Sequence, residues 1–259
     1  MKIAMIGAGN LATNLGRALH NAGHDFVSVY SRTMESAATL AAIVGGAATT
    51  SIAAVTNDAD IYIIALKDSV LADIIPQLCN GRQQKIFVHT AGSMPMDVFH
   101  GMALHYGVIY PMQTFSRQRE VDFSVIPIFL EANDELTLNA ISGLATSVSN
   151  DVSLLDSPSR RYLHLAAVFA CNFSNHCYAL AADVLKKVGL DFSVMLPLID
   201  ETARKVHDMS PEKAQTGPAV RYDDNVIRSQ AQMLRDNPFA KDIYERMSVS
   251  INKKSKCND

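Results

Sequence analysis

Gly7-Ala8-Gly9-Asn10-Leu11-Ala12 spaces two glycines and a small residue as G-x-G-x-x-A near the start of the 259-residue chain. Between a strand and a helix, that spacing binds the pyrophosphate of a dinucleotide. Gly7 permits the tight turn, and Gly9 removes the Cβ that would stand between main chain and phosphate. Ala12 lets the helix pack close to the strand. The phosphates then meet exposed N–H groups, those of Asn10 and Leu11 among them, at the positive end of the helix. Alone, the same spacing is simply a tight strand-to-helix turn. About 20 residues on, an Asp or Glu would bond the ribose 2′-hydroxyl of NAD. This chain instead reads Tyr30-Ser31-Arg32-Thr33. Arg32 offers a planar cationic fork to a 2′-phosphate, with the hydroxyls of Ser31 and Thr33 beside it, so NADP is the expected cofactor. A solvated arginine, with Ser31 or Thr33 capping the next helix, is the plainer alternative, and the two are compatible.

Three further segments fall where loops follow strands, at the edge where such folds hold ligands. Ala65, Leu66 and Lys67 of the first, and Thr90, Ala91 and Gly92 of His89-Thr90-Ala91-Gly92-Ser93, are candidates for the cofactor. Ser93, together with Gln113 and Thr114 of Pro111-Met112-Gln113-Thr114-Phe115, are candidates for substrate. Small and hydroxyl-bearing residues allow a ring to approach closely and to be hydrogen-bonded. Thr90 and Ser93 could equally serve only the turn. Farther along, His164, Cys171 and Asn175 share a helix face at 100° per residue, with Asn172 beside it. Polar groups on an Ala/Val/Leu-rich helix need partners, solvent or a cleft. His164 and Asn172 are therefore the candidate catalytic pair, His164 as proton donor; a structural histidine with satisfied bonds is the alternative. Arg221, in Thr216-Gly217-Pro218-Ala219-Val220-Arg221-Tyr222-Asp223, could clamp an anionic substrate, and Asp223 reads as an N-cap.

These residues need a scaffold, and the punctuation supplies one. Apolar strands are expected at residues 3–6, 26–30, 61–65, 85–88, 108–110 and 126–130, and the pattern changes around 152–155. Helical patterns at 10–21, 35–43, 69–79 and from about 133 separate several of them. Strands alternating with helices imply crossovers and a mostly parallel sheet, and continuous runs such as Ile61-Tyr62-Ile63-Ile64-Ala65 imply strands covered on both faces. The expected fold is α/β: a Rossmann doubly wound, mostly parallel sheet over residues 1–153, followed by an all-α C-terminal domain over 154–259. The second half opens at Asp156-Ser157-Pro158 with proline in a first turn. Residues 159–187 read as one long helix ended by Gly189, with helices near 192–207, 223–235 and 238–249. The polar residues 252–256 are expected to fray.

A hydrophobic fraction of 48%, a charged fraction of 19% and a net charge of -3 fit a globular protein and speak against a nucleic-acid partner. Cys79, Cys171, Cys177 and Cys257 are scattered, which favours reduced thiols over bridges and gives no zinc pattern, so no metal is expected. No apolar stretch reaches the roughly 18 residues of a membrane span. The first strand begins at once and leaves no room for a signal peptide, so a cytoplasmic location is expected.

Taken together these segments resemble the pyrroline-5-carboxylate reductase and 6-phosphogluconate/β-hydroxyacid dehydrogenase superfamily. The similarity is strongest to the Rossmann-like NADP oxidoreductases with a DUF2520 C-terminal domain. It extends over nearly the whole chain, through His89–Ser93, Pro111–Phe115, residues 166–172 and Thr216-Gly217-Pro218. The resemblance implies hydride transfer between NADPH and a small C=O or C=N substrate, and a homodimer paired through the helical domain. It does not carry over the catalytic lysine, which in β-hydroxyacid dehydrogenases lies one turn before an asparagine; here Val168 stands four residues before Asn172. That departure keeps open a non-catalytic NADP-binding sensor or assembly protein. A methyltransferase sharing the glycine turn is disfavoured by Arg32, because its cofactor has no 2′-phosphate.

Overall fold

The apolar run Lys2–Ile6 forms β1, and the glycine turn after it leads directly into α1 (Asn10–Asn21). In the computed structural model, which describes residues 1–256, the alternation continues through β2 (Asp25–Tyr30), α2 (Met34–Val44), β3 (Ala47–Thr49), β4 (Ile61–Ile64) and α3 (Asp68–Cys79). Then follow β5 (Ile86–His89), β6 (His105–Pro111), β7 (Ile128–Ala132), α4 (Glu135–Thr146) and β8 (Val152–Leu154). The eight strands lie in the order β3-β2-β1-β4-β5-β6-β7-β8. Strands β1 to β6 are parallel, β7 runs antiparallel to β6, and β8 is parallel to β7. The chain starts at β1, builds outward to β3, then crosses back to build the other side from β4. The strand order therefore reverses between β1 and β4, where a Rossmann sheet opens its crevice.

Burial follows the expectation for a covered sheet, since every residue of β4 and β5 is buried. Alternate residues feed two cores: Ile3, Met5, Ile63 and Val88 meet Leu15 and Leu40 on one face. Ala4, Ile6, Tyr62 and Phe87 meet Leu71 and Ile75 of α3 on the other. Each Leu or Ile so buried is worth roughly 1.5–3 kcal/mol relative to exposure. Some element ends differ from the sequence reading. The short β3 has no apolar run to announce it, and β7 begins two residues late because Phe123–Val125 forms a 3-10 turn. Helix α4 starts at Glu135 because the Asp134 carboxylate accepts the Thr137 N–H at 2.8 Å and caps it.

The chain forms two compact units, the first running from Met1 to Cys171 and the second from Asn172 onward. The division falls later than residue 153 because α5 (Ser157–Ala167) is bonded into the first unit through buried Ser157 and Arg160. The single helix expected over 159–187 is interrupted: a π-helical turn, Val168–Phe173, separates α5 from α6 (Ser174–Lys186). The second unit continues with α7 (Leu196–Asp208), α8 (Pro211–Ala214), α9 (Pro218–Arg221), α10 (Asp224–Met233) and α11 (Pro238–Lys256). Residues 252–256 do not fray. They complete α11, where the Asn252 amide donates to the Val220 carbonyl at 2.9 Å and the Ser255 hydroxyl to the same oxygen at 3.2 Å. Cys79 is buried, Cys171 and Cys177 are half-buried, all three are unbridged, and Cys257 lies outside the described residues. Among the described residues no helix is long and apolar enough to cross a membrane.

Candidate functional site

The glycine turn joins the end of β1 to α1. Gly7 adopts φ +120°, and a Cβ there would stand 2.3 Å from the Ala65 carbonyl oxygen, so only glycine fits. Its N–H donates to the Tyr30 carbonyl at 2.8 Å, tying the turn to β2. Gly9 is the N-cap of α1, and no atom lies within 4 Å of where its Cβ would be. The helix begins its ladder with Thr13 N–H on the Gly9 carbonyl at 2.9 Å, leaving the amides of Asn10, Leu11 and Ala12 at its head. No side chain caps them and no acid occupies the first turn. Open space, free amides and no competing carboxylate suit a pyrophosphate. Ala12 is fully buried, as close helix-to-sheet packing needs.

Arg32 lies exposed between β2 and α2 and has no ion-pair partner among the described residues. Thr33 caps α2, its hydroxyl oxygen accepting from Ser36 N–H at 3.4 Å, which leaves its O–H to donate elsewhere. The Ser31 N–H holds the loop to β3 through the Thr49 carbonyl at 3.1 Å.

From Gly7 a row of contacts runs along the carboxyl edge of the sheet. Ala65 and Leu66 abut Gly7, and Lys67 is the N-cap residue of α3. Thr90 N–H donates to the Ile64 carbonyl at 3.1 Å, joining the loops after β4 and β5. His89 is fully buried beneath that second loop. Its Nδ1 accepts from Ala91 N–H at 3.1 Å and its Nε2 donates to the Pro95 carbonyl at 3.2 Å. Burial, reinforced by the nearby Arg160 cation, pushes the imidazole down to about 4, so the neutral ring is the one that fits. Ser93 donates its hydroxyl to the Asp68 carboxylate.

The same loop is fastened to α5. Arg161 Nε donates to the Ser93 carbonyl at 3.2 Å, Arg160 Nη2 to the Met94 carbonyl at 2.6 Å, and Met96 N–H to the Ser157 hydroxyl at 2.9 Å. The Arg160 guanidinium, 1% exposed, pairs with Glu131 of β7, and Ser157 donates to the same carboxylate at 2.7 Å. This clamp sets the position of His164 one turn farther along α5. A Cβ on Gly92 would stand 2.6 Å from Nδ1 of that ring, so glycine is what lets the ring approach the loop. The hydroxyl of Tyr110, at the end of β6, lies 3.0 Å from the same Nδ1, with the rings edge-on at 6.2 Å. Burial raises the Tyr110 phenol above its ordinary range and keeps it protonated.

Gln113 and Thr114 are exposed, and the Gln113 amide oxygen accepts from Thr114 N–H at 2.9 Å. Asn172 and Arg221 belong to the second unit. Asn172 is exposed in the π-helical turn, and Arg221 ends α9 just before Tyr222, whose φ is +51°. Asp223 caps α10 through Val226 N–H at 3.4 Å. Tyr110 and the Glu131–Arg160 pair escaped sequence reasoning. Tyr110 reads as core strand; its one signal is that it stands at a strand's carboxyl end, immediately before the Pro111–Phe115 loop.

Residues 2–92 match the family described as NADP oxidoreductase, coenzyme F420-dependent, and residues 126–251 match a domain of unknown function, DUF2520. A solved Bacteroides fragilis protein classed as an NADP oxidoreductase is 54% identical, with 97% of this chain and 98% of that one covered, at a TM-score of 0.94. The fold also resembles an imine reductase from Myxococcus stipitatus in complex with NADP+, at 13% identity, 99% and 95% coverage and a TM-score of 0.68. A pyrroline-5-carboxylate reductase from Coxiella burnetii shares it at 16% identity, 98% and 97% coverage and a TM-score of 0.58. No protein among the curated ones matches the sequence significantly.

Proposed function

The chain belongs to the family of NADP oxidoreductases with a DUF2520 C-terminal region, and from that premise we propose that it transfers a hydride between NADPH and a small C=O or C=N substrate. The observation that carries this reading is the unbroken row Gly7, Ala65, Thr90, Gly92, His164, Tyr110 along one edge of the sheet. It leads from the phosphate turn to a proton-bearing pair.

NADPH would supply the hydride, the step for which the protein itself has no chemistry. Gly7, Gly9 and the amides of Asn10, Leu11 and Ala12 hold the pyrophosphate. Arg32, with the hydroxyls of Ser31 and Thr33, holds the 2′-phosphate. Ala65, Leu66, Lys67, Thr90, Ala91 and Gly92 line the nicotinamide end. His164 protonates the oxygen or nitrogen that gains charge as hydride arrives. In the protonated ring that does this, Nδ1–H donates to the Tyr110 oxygen, and Nε2–H is the proton given to the substrate. Ser93, Gln113, Thr114 and Arg221 are the substrate-side candidates, and Asn172 the second polar group of the catalytic region.

We further propose a homodimer paired through the helical region and a cytoplasmic setting. Helices α6 and α7 contain no buried residue, and Val188, Leu190, Val194 and Leu198 are 70%, 51%, 50% and 62% exposed. Apolar surface on this scale needs a cover, and a second copy offers the same face in self-complementary form. Three unbridged thiols suit a reducing compartment.

The deciding experiment follows NADPH oxidation over a panel of small cyclic imines, ketoacids and aldehydes. Turnover of one class establishes the reaction. Tight NADPH binding with no turnover across the panel overturns the enzyme reading in favour of a sensor.

A further inference from the structure

The loop after β6 folds back across the glycine turn and is fastened to α1. The Asn10 amide donates to the Phe115 carbonyl at 3.0 Å, and the Asn14 amide to the Ser116 carbonyl at 3.0 Å. Arg17 pairs with Glu120 at 3.0 Å, and Phe115 stacks on Phe123 at 5.7 Å between centroids. Each of these contacts is satisfied within itself. Arg117 is different. Its Nη2 donates to the Ala8 carbonyl, in the middle of the G-x-G-x-x-A turn, and it has no carboxylate partner among the described residues.

A guanidinium is thus placed beside the head of α1, where the helix amides already present positive charge and the first turn holds no acid. Among the described residues the one acid this loop brings to α1, Glu120, pairs with Arg17 and not with Arg117. A cation gathered with free amides at one point is unfavourable alone and favourable around an anion. One Arg117 N–H is taken by Ala8, and a guanidinium has five.

We propose that Arg117 is a pyrophosphate-binding residue, delivered by the loop after β6 onto the dinucleotide turn. The inference rests on the dinucleotide reading above and adds to it a division of labour. Arg32 reads the 2′-phosphate that separates NADP from NAD, whereas Arg117 reads the diphosphate they share.

The test measures NADPH and NADH affinity of the full chain by calorimetry, for the wild type, R117A, R117Q and R32A. R117A is expected to weaken both dinucleotides alike, by roughly tenfold, the scale of one charge-assisted hydrogen bond. R117Q, which can donate to a carbonyl but carries no charge, should weaken both similarly and flatten the salt dependence of binding. R32A should weaken NADPH alone. Arg117 is exposed, so melting temperatures without dinucleotide should be nearly unchanged in both Arg117 variants. Wild-type affinity in R117Q would reduce Arg117 to a tie on the loop and overturn the proposal. Unchanged affinity in R117A, or a loss confined to NADPH, would overturn it equally. If the wild type bound neither dinucleotide, the underlying dinucleotide reading would fail and this inference with it.

Discussion

The hydroxyl of Tyr110 lies 3.0 Å from Nδ1 of His164, across 54 residues of sequence, and joins the carboxyl end of β6 to α5. A phenol kept protonated by burial, bonded to one imidazole nitrogen, holds the ring's orientation and leaves the other nitrogen for proton transfer. Tyr110→Phe should therefore lower kcat more than it raises KM, by about one order of magnitude. His164→Asn should cost about two orders, the range of a general acid. The pH–rate profile discriminates: loss of its alkaline limb in His164→Asn is expected, since a proton donor fails as pH rises, and an unaltered profile with normal kcat would remove His164 from the chemistry.

Gly92 tests the same geometry without touching a polar group. A methyl group there would meet the His164 ring at 2.6 Å from Nδ1, so Gly92→Ala must displace the ring or the loop. NADPH affinity should fall by no more than a few-fold while kcat drops about tenfold, as misplacement of a reacting group does. Equal turnover in Gly92→Ala and wild type would show that His164 need not occupy this position.

At the other end of the site, Arg32 is exposed and without an ion pair among the described residues. Arg32→Ala should erase a preference for NADP over NAD, with a change of about 1.5–3 kcal/mol in NADP binding, the worth of hydrogen bonds to a charged group. Fluorescence titration of both dinucleotides checks this. Equal binding of the two by the unmutated chain would refute the assignment outright.

The Glu131–Arg160 pair, with side chains 15% and 1% exposed, holds the loop after β5 to α5. Removing one partner leaves the other buried without its counter-charge, at a cost of about 3–5 kcal/mol. Glu131→Gln keeps the shape of the acid and loses its charge, and should lower the unfolding free energy measured in urea by an amount in that range. Replacing both residues with apolar ones of similar size should cost less than either single change. A shift under about 1 kcal/mol for Glu131→Gln would contradict the clamp.

His89 makes stability depend on pH. Its imidazole is held down to about 4 in the folded chain, because burial and Arg160 oppose the charge, while the unfolded chain takes up its proton near 6.5. The contribution is complete above about pH 6.5. It is lost as pH falls to about 4, since only the unfolded state binds the proton in that window, and the total is up to about 3 kcal/mol. His89→Gln should flatten the urea midpoint against pH between 4 and 6.5. An unchanged slope would place the acid sensitivity elsewhere.

What rests on neighbours along the chain is legible in the residues alone. Gly7 and Gly9 mark the turn because the backbone conformation they permit and the Cβ they lack are local properties. Apolar runs mark β1, β4 and β5 because strands covered on both faces admit little else. Asp156 and Pro158 mark the start of α5 because a cap and a first-turn proline act within one turn. The order of the strands and the partners of single polar side chains emerge only once distant segments pack together. Tyr110 meets His164, Glu131 meets Arg160 across 29 residues, and Arg117 meets Ala8 across 109. Residues 252–256 have the composition of a polar tail, yet the Val220 carbonyl accepts from Asn252 and Ser255 and holds them in α11. A tyrosine at a strand end, or an arginine in a loop, has the same local signature whether it faces water or a catalytic histidine. Which of these it meets depends on pairing between strands far apart in sequence, and that pairing leaves no mark on the residue itself.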